Sequence, residues 1–276
     1  MATLGTLIIL ISTLVVLLAP ILPISDPLFQ DLANRLKPPS RECLLGTDQF
    51  GRDVLSRIIW GGRISLLVGT ASVGLGLLIG VVLGLISGYF GKTVDAVIMR
   101  IADIILSFPA LLLAIAICAA IGSELWNVVI ALAIVGVPRF TRLVRGSTLS
   151  VKEEDFIEAA RALGQSRVKI ILFHILPNVL SPILVFATLW LPFCIVTEAG
   201  LSFLGLGVMP PTATWGNMIN EGKGFLYSAP WISVFSGIAI SVVVLAFNFV
   251  GDAMRDVLDP RLKGEREAEG KWKGGD

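Results

Sequence analysis

Residues 64–91 read ISLLVGTASVGLGLLIGVVLGLISGYFG, with no Asp, Glu, Lys or Arg between Arg63 and Lys92. As an α-helix rising 1.5 Å per residue, this stretch reaches about 42 Å, enough to cross a hydrocarbon core of about 30 Å. Gly76, Gly80, Gly84 and Gly88 recur inside it at four-residue spacing. On a helix they form a small-residue ridge that lets another backbone approach closely, a packing device within the chain or at a subunit interface.

The same reading extends in both directions. Charge-free runs also cover 1–25, 104–123, 175–197 and 225–251, each long enough to span. A weaker run lies between Glu124 and Arg139, whose charges are expected near opposite interfaces with the arginine stem snorkelling outward. The expectation is an all-α membrane protein with six transmembrane helices. Composition agrees: 55% of the 276 residues are hydrophobic and 16% charged, against about 25% charged in soluble domains. The stretch 199–220 is also uncharged, but Gly200, Gly205, Gly207, Pro210, Pro211 and Gly216 break helices. It is expected to be a loop at, or dipping into, the membrane surface.

The basic residues choose an orientation. With the N-terminus in the cytoplasm, 15 of the 22 Lys and Arg residues fall inside, seven of them between Arg139 and Lys169. The positive-inside bias therefore places both termini and the loop 142–174 in the cytoplasm. The first span has no basic n-region and no small-x-small cleavage site after it, so a retained helix is expected rather than a signal peptide. Cys43, Cys118 and Cys194 show no CxxC spacing, so neither a disulfide framework nor a metal site follows. A net charge of +1 gives no basic footprint for nucleic acid.

Chemistry-bearing motifs are few. Gly91-Lys92-Thr93 lacks the glycine that a phosphate loop needs five residues earlier, where Ile86 stands. His174 is the single histidine, so no histidine pair for a metal and no carboxylate–histidine catalytic pair is available. Arg100 and Asp103 are expected to pair on one helix face. Glu198 lies near the outer end of the fifth apolar run, a candidate for a substrate path because acids in membrane segments are costly.

The segment from Lys152 to Pro177 is the most structured of the polar stretches. Asp155 can N-cap a short helix with Glu158 three residues on, and Gly164 suits its end. Phe156, Ala159, Ala160 and Leu163 would form the apolar stripe. Ser166 reads as a fresh N-cap leading into the next span. On the residues alone, this is either an ordinary surface turn or a helix–turn–helix that presents an apolar strip to a partner.

Glu158, Ala159, Ala160, Gly164, Leu176 and Pro177 together resemble the EAA loop of bacterial ABC importer permeases, with His174 where that family usually carries isoleucine. Leu45-Gly46-Thr47-Asp48, Gly51-Arg52-Asp53, Ser56-Arg57, Ser107-Phe108-Pro109, Leu201 to Gly207, Trp215-Gly216 and Leu258-Asp259-Pro260 resemble, in order, the dipeptide/oligopeptide/nickel branch. The resemblance implies a type I ABC importer permease fold (MetI-like). It divides the chain into 1–62 (first helix and periplasmic segment), 63–252 (a five-helix transmembrane domain with the coupling loop 152–177) and 253–276 (a partly disordered tail).

It also implies a non-catalytic subunit of the bacterial inner membrane, forming half of a translocation pathway. Its partners would be a second homologous permease, two cytoplasmic ATPase subunits that carry the ATP and magnesium, a periplasmic or lipid-anchored substrate-binding protein, and the bilayer. The implied cargo is a di- or oligopeptide, with nickel the alternative. The apolar runs hold no histidine and Met99, Met209, Met218 and Met254 do not cluster, which leans toward peptide. A self-sufficient ion-coupled carrier or intramembrane enzyme would need acidic relays or paired catalytic groups inside the spans.

Overall fold

The structure is a computed structural model in which residues 2–258 are described. Expectations for 259–276, including most of the tail and the Asp259-Pro260 pair, lie outside the described residues. Among the described residues ten α-helices follow one another: α1 (Ala2–Leu17), α2 (Val54–Phe90), α3 (Lys92–Leu106), α4 (Ala110–Ile121), α5 (Leu125–Lys152), α6 (Asp155–Ala162), α7 (Arg167–Ile170), α8 (Leu176–Phe203), α9 (Trp215–Gly222) and α10 (Trp231–Leu258). A single π-helical turn, Ile171–Ile175, joins α7 to α8, so Arg167–Phe203 is one rod of 37 residues.

The glycine-rich stretch forms the middle of α2. Asp53 caps this helix by accepting from the Ser56 N–H at 2.8 Å, and Gly91 ends it with φ +62°. Burial pushes the Asp53 carboxyl up from its ordinary value, while the Ser56 and Leu55 N–H groups pull it down. The glycine ridge packs on α5. A Cβ at Gly80 would sit 2.4 Å from that of Phe140, at Gly84 2.6 Å from that of Val144, and at Gly88 2.7 Å from that of Thr148. Since Gly76 meets Ala133 and Gly88 meets Thr148, α2 and α5 run parallel. They start at the end of the bundle that carries α9 and finish at the end that carries α6.

The span count differs from the sequence expectation. Four helical segments, α2, α5, the 167–203 rod and α10, are long and apolar enough to cross a membrane, or five if α3 and α4 count as one bent span. Helix α1, expected as the first of six spans, has 16 residues and reaches about 24 Å. It packs along α10, with Gly5 close to the Ala246 carbonyl and Phe249.

The run 104–123 is not one helix. It breaks at Ser107–Pro109 with an 89° bend, because Pro109 has no N–H to continue the ladder and disfavours helical backbone at Phe108. The stretch 199–220 is only partly a loop. Helix α8 continues to Phe203, and Thr214 caps a new helix, α9, by accepting from the Asn217 N–H at 3.1 Å. Gly216 lets α9 press onto Ala199 of α8, 2.6 Å from where a Cβ would stand.

Candidate functional site

Helix α6 sits at the end of the bundle where α2 and α5 terminate. It begins at Asp155, with Glu154 in the capping position and no side-chain cap bond. The expected capping box is not formed: Glu154 N–H closes back onto Val151 at 3.2 Å, so the chain enters the helix one residue early. Asp155 and Glu158 instead occupy the first turn, where carboxylates suit the helix dipole.

One residue of the expected stripe, Ala160, turns into the bundle instead of outward. Ile157 and Ala160 are buried against Leu85 and Tyr89 of α2, Val144 of α5, and Ile170, Ile175, Val179 and Ile183 of the rod. Phe156 and Ala159 are exposed, and Leu163 is 81% exposed. The stripe Phe156–Ala159–Leu163 exists on the helix but points away from the protein, beside the exposed carboxylate of Glu158. An eight-residue helix can bury one side only, and here 157 and 160 supply it.

Gly164, at φ +74°, ends α6, with Gln165 N–H reaching back to the Ala160 carbonyl at 3.1 Å. This six-to-one closure needs the left-handed conformation that glycine adopts freely. Ser166 then caps α7 by accepting from Lys169 N–H. His174, the unusual residue of the motif, ties this turn to the π-turn through a 2.8 Å hydrogen bond between Nε2 and Gln165 Oε1. Leu176 N–H reaches Ile171, and Pro177 follows with no N–H of its own, the setting in which a π-turn relieves the ladder.

The turn is fastened to the helices it faces. Lys152 Nζ donates to the Tyr89 carbonyl at 2.8 Å, and the Arg161 guanidinium lies 5.6 Å from the Tyr89 ring. Arg145 of α5 holds Asp95 of α3 bidentately at 2.5 and 2.6 Å, and Ser87 of α2 donates to the same carboxylate. Asp103 pairs with Arg142 of α5 at 2.6 Å rather than with Arg100. These contacts join α6 to α2, α5 and the 167–203 rod, and α5 to α3.

The opposite end is built differently. Glu198 is wholly buried, accepting from Ser202 at 2.8 Å and from Ser65 of α2 at 3.1 Å. Thr214 and the Trp215 N–H adjoin the same serines. Glu198 joins α8 to α2 through these two serines.

A second cluster was not read from the sequence. Asp48 takes Arg52 Nε at 2.6 Å and Arg57 Nη1, while Glu221 of α9 takes Arg52 at 2.8 Å and Arg57 at 2.7 Å. Asp48, Arg52 and Arg57 are buried, so the Leu45–Arg57 motif is a clamp between the segment before α2 and α9. Its local signal was the density of charge between Asp48 and Arg57; its fourth member lies 164 residues beyond Arg57. Arg139, expected at an interface, stands halfway along α5 because the helix continues to Lys152.

Residues 80–264 match the family described as binding-protein-dependent transport system inner membrane component. The chain is 48% identical over 263 residues to the dipeptide transport system permease protein DppC of Alkalihalophilus pseudofirmus, covering 95% of this chain and 86% of that one. It is 48% identical over 225 residues to the glutathione transport system permease protein GsiD of Pectobacterium atrosepticum, covering 82% and 75%. Among solved structures, an inward-facing form of the MetNI methionine ABC transporter matches with TM-score 0.60 at 20% identity, covering 75% of this chain and 96% of that one. A chain of an amino acid ABC transporter matches with TM-score 0.56 at 19% identity, covering 72% and 92%. An all-helical bundle with a type I, MetI-like ABC permease fold, a glycine-ridged central helix pair and a family match over two thirds of its length make this chain a member of the binding-protein-dependent transport system inner membrane components, a multi-pass permease subunit.

Proposed function

We propose that this chain is the permease subunit of an ATP-driven ABC importer of small peptides and docks a cytoplasmic ATPase subunit through residues 152–177. One observation carries the reading: α6 buries Ile157 and Ala160 into the bundle and turns Phe156, Glu158, Ala159 and Leu163 outward. One face is fixed to the membrane helices and the other lacks a partner within the described residues. The bias of basic residues puts this end in the cytoplasm, with both chain termini, where an ATPase can reach it. Ala159 and Gly164 keep the approach close, and Glu158 offers a charge to a basic residue of the ATPase.

The substrate class is supported by relatives at 48% identity that are named for dipeptide and glutathione transport. The mechanism is alternating access. A binding protein delivers the peptide from outside to a path formed with a second permease subunit. Two ATPase subunits, which hold ATP and magnesium, close on each other, and α6 transmits that closure to α2, α5 and α8. This chain hydrolyses nothing.

The test is reconstitution with a partner permease, ATPases and binding protein, followed by uptake of radiolabelled dialanine. ATP-dependent accumulation is expected. Uptake by the permeases alone without ATP contradicts the importer reading, and uptake of nickel instead of dialanine contradicts the peptide reading.

A further inference from the structure

Arg139 is an arginine at the depth where a membrane protein has least use for one. It is the fifteenth residue of the 28 in α5, about 21 Å from the start of that helix. It lies between Val137 and Phe140, both of which pack on Gly80 of α2. Gly80 in turn is within about 5 Å, along the helix, of the midpoint of the uncharged run 64–91. Trp190, which faces Arg139, is four residues from the midpoint of the run 175–197, so two separate helices each place the pair within about 6 Å of mid-span.

The surroundings do not neutralise the charge. Among the described residues Arg139 makes no ion pair. One of its five N–H donors goes to the Val135 carbonyl of its own helix, at 2.6 Å, and its guanidinium lies 4.8 Å from the Trp190 ring centroid. Trp190 is itself held between Phe186 and Phe193, with ring centroids 5.8 and 4.3 Å away. Its indole N–H is buried without a hydrogen-bond acceptor, beside Gly136, where a Cβ would come within 3.1 Å. Arg139 is only partly buried. Charged residues at such depth face a bundle interior or a water-filled cavity, because lipid tails offer them nothing.

We propose that Arg139, braced by Trp190, lines the translocation path at mid-membrane and receives the carboxylate of the passing cargo. Four unused guanidinium donors in a planar fork match a carboxylate's two oxygens, and the aromatic bracket fixes the fork's orientation. A second donor, the Trp190 N–H, adjoins it. The assignment rests on the importer reading above, since a peptide cargo carries a terminal carboxylate.

The experiment uses the complete transporter with Cys43, Cys118 and Cys194 replaced, carrying Arg139→Cys, and treats it with the water-soluble anion sulfonatoethyl methanethiosulfonate. Modification is expected, and excess dialanine with the binding protein and ATP should slow it. In parallel, Arg139→Gln should lower dialanine uptake roughly tenfold, with Arg139→Lys retaining more because it keeps the charge but loses the fork. Absence of modification overturns the placement, and undiminished uptake in Arg139→Gln overturns the role. So does separation of the two permease subunits in that variant, which would make Arg139 half of an inter-subunit ion pair. Failure of the unsubstituted transporter to carry dialanine would count against the peptide reading alone, because the thiol arm still decides where Arg139 lies.

Discussion

The two ends of the bundle satisfy their polar groups in opposite ways. At the α9 end, Asp48, Arg52, Arg57 and Glu221 neutralise one another, Glu198 is bonded by two serines, and the tryptophan N–H groups of Trp215 and Trp231 find the carbonyls of Ile58 and Thr47. At the α6 end the contacts inward are apolar, the ion pairs are half-buried or exposed, and an apolar stripe with a carboxylate faces outward. The first end pairs its buried charges within the chain. The second is packed on one side only, with Phe156, Glu158, Ala159 and Leu163 turned outward.

That contrast can be broken from the α9 end first. Asp48→Leu leaves two buried guanidiniums with one carboxylate, and removal of one partner of a buried pair costs about 3–5 kcal/mol. A large fall in the detergent melting temperature and poor recovery from membranes are expected. A melting temperature equal to the unsubstituted protein's would show that the clamp is solvated. Ile157→Ala removes the fully buried anchor of α6, worth about 2–4 kcal/mol if the whole protein felt it. Because α6 is a short terminal feature of the bundle, the effect should appear as faster hydrogen exchange at 155–170 with a smaller shift in global melting. Uniform loss of protection throughout would mean the two ends are one cooperative unit.

Gly84→Leu inserts a side chain where a Cβ already lies 2.6 Å from Val144, and overpacking of this kind costs about 1–3 kcal/mol. Gly74→Leu, on the same helix with no atom within 4 Å of its would-be Cβ, is the control and should melt near the unsubstituted protein. Equal stability of the two variants would remove the ridge from the account. The smallest effect on stability belongs to Glu158→Lys, an exposed position whose substitution should leave melting and membrane insertion unchanged while lowering recovery of the ATPase subunit with the permease.

Much of this contrast was legible beforehand, because lipid punishes charge and the uncharged runs had to be helices. What was not legible came from the same rule applied too literally. Arg139 ended a run in the sequence, yet α5 passes through it, since a guanidinium stacked on Trp190 and bonded to Val135 can remain at depth. The run 104–123 carried no charge to announce its break, and Pro109 supplied it. Helix α3 before it, with Lys92, Asp95, Arg100 and Asp103 among apolar residues, was hidden because it is amphipathic rather than apolar.

In the candidate site, Gly164 and Ser166 act through their own neighbours, so local sequence located the turn and the second cap. Which face of α6 is buried depends on Leu85, Tyr89 and Ile183, far away in the chain, so local sequence did not separate Ala160, which turns inward, from the outward Phe156, Ala159 and Leu163. The ion clamp is the extreme case: Glu221 has no local mark that distinguishes it from any surface carboxylate.

The central claim is that the outward face of α6 is an ATPase-docking surface. Its direct test is Ala159→Cys in a background lacking Cys43, Cys118 and Cys194, with cysteines introduced one at a time across the surface of the partner ATPase. Rapid disulfide cross-linking at one cluster of ATPase positions, in a yield that changes between the ATP-bound and nucleotide-free states, is predicted. Ala159→Cys that forms no ATPase cross-link in an assembled, transporting complex, while remaining open to a water-soluble thiol reagent, would contradict it.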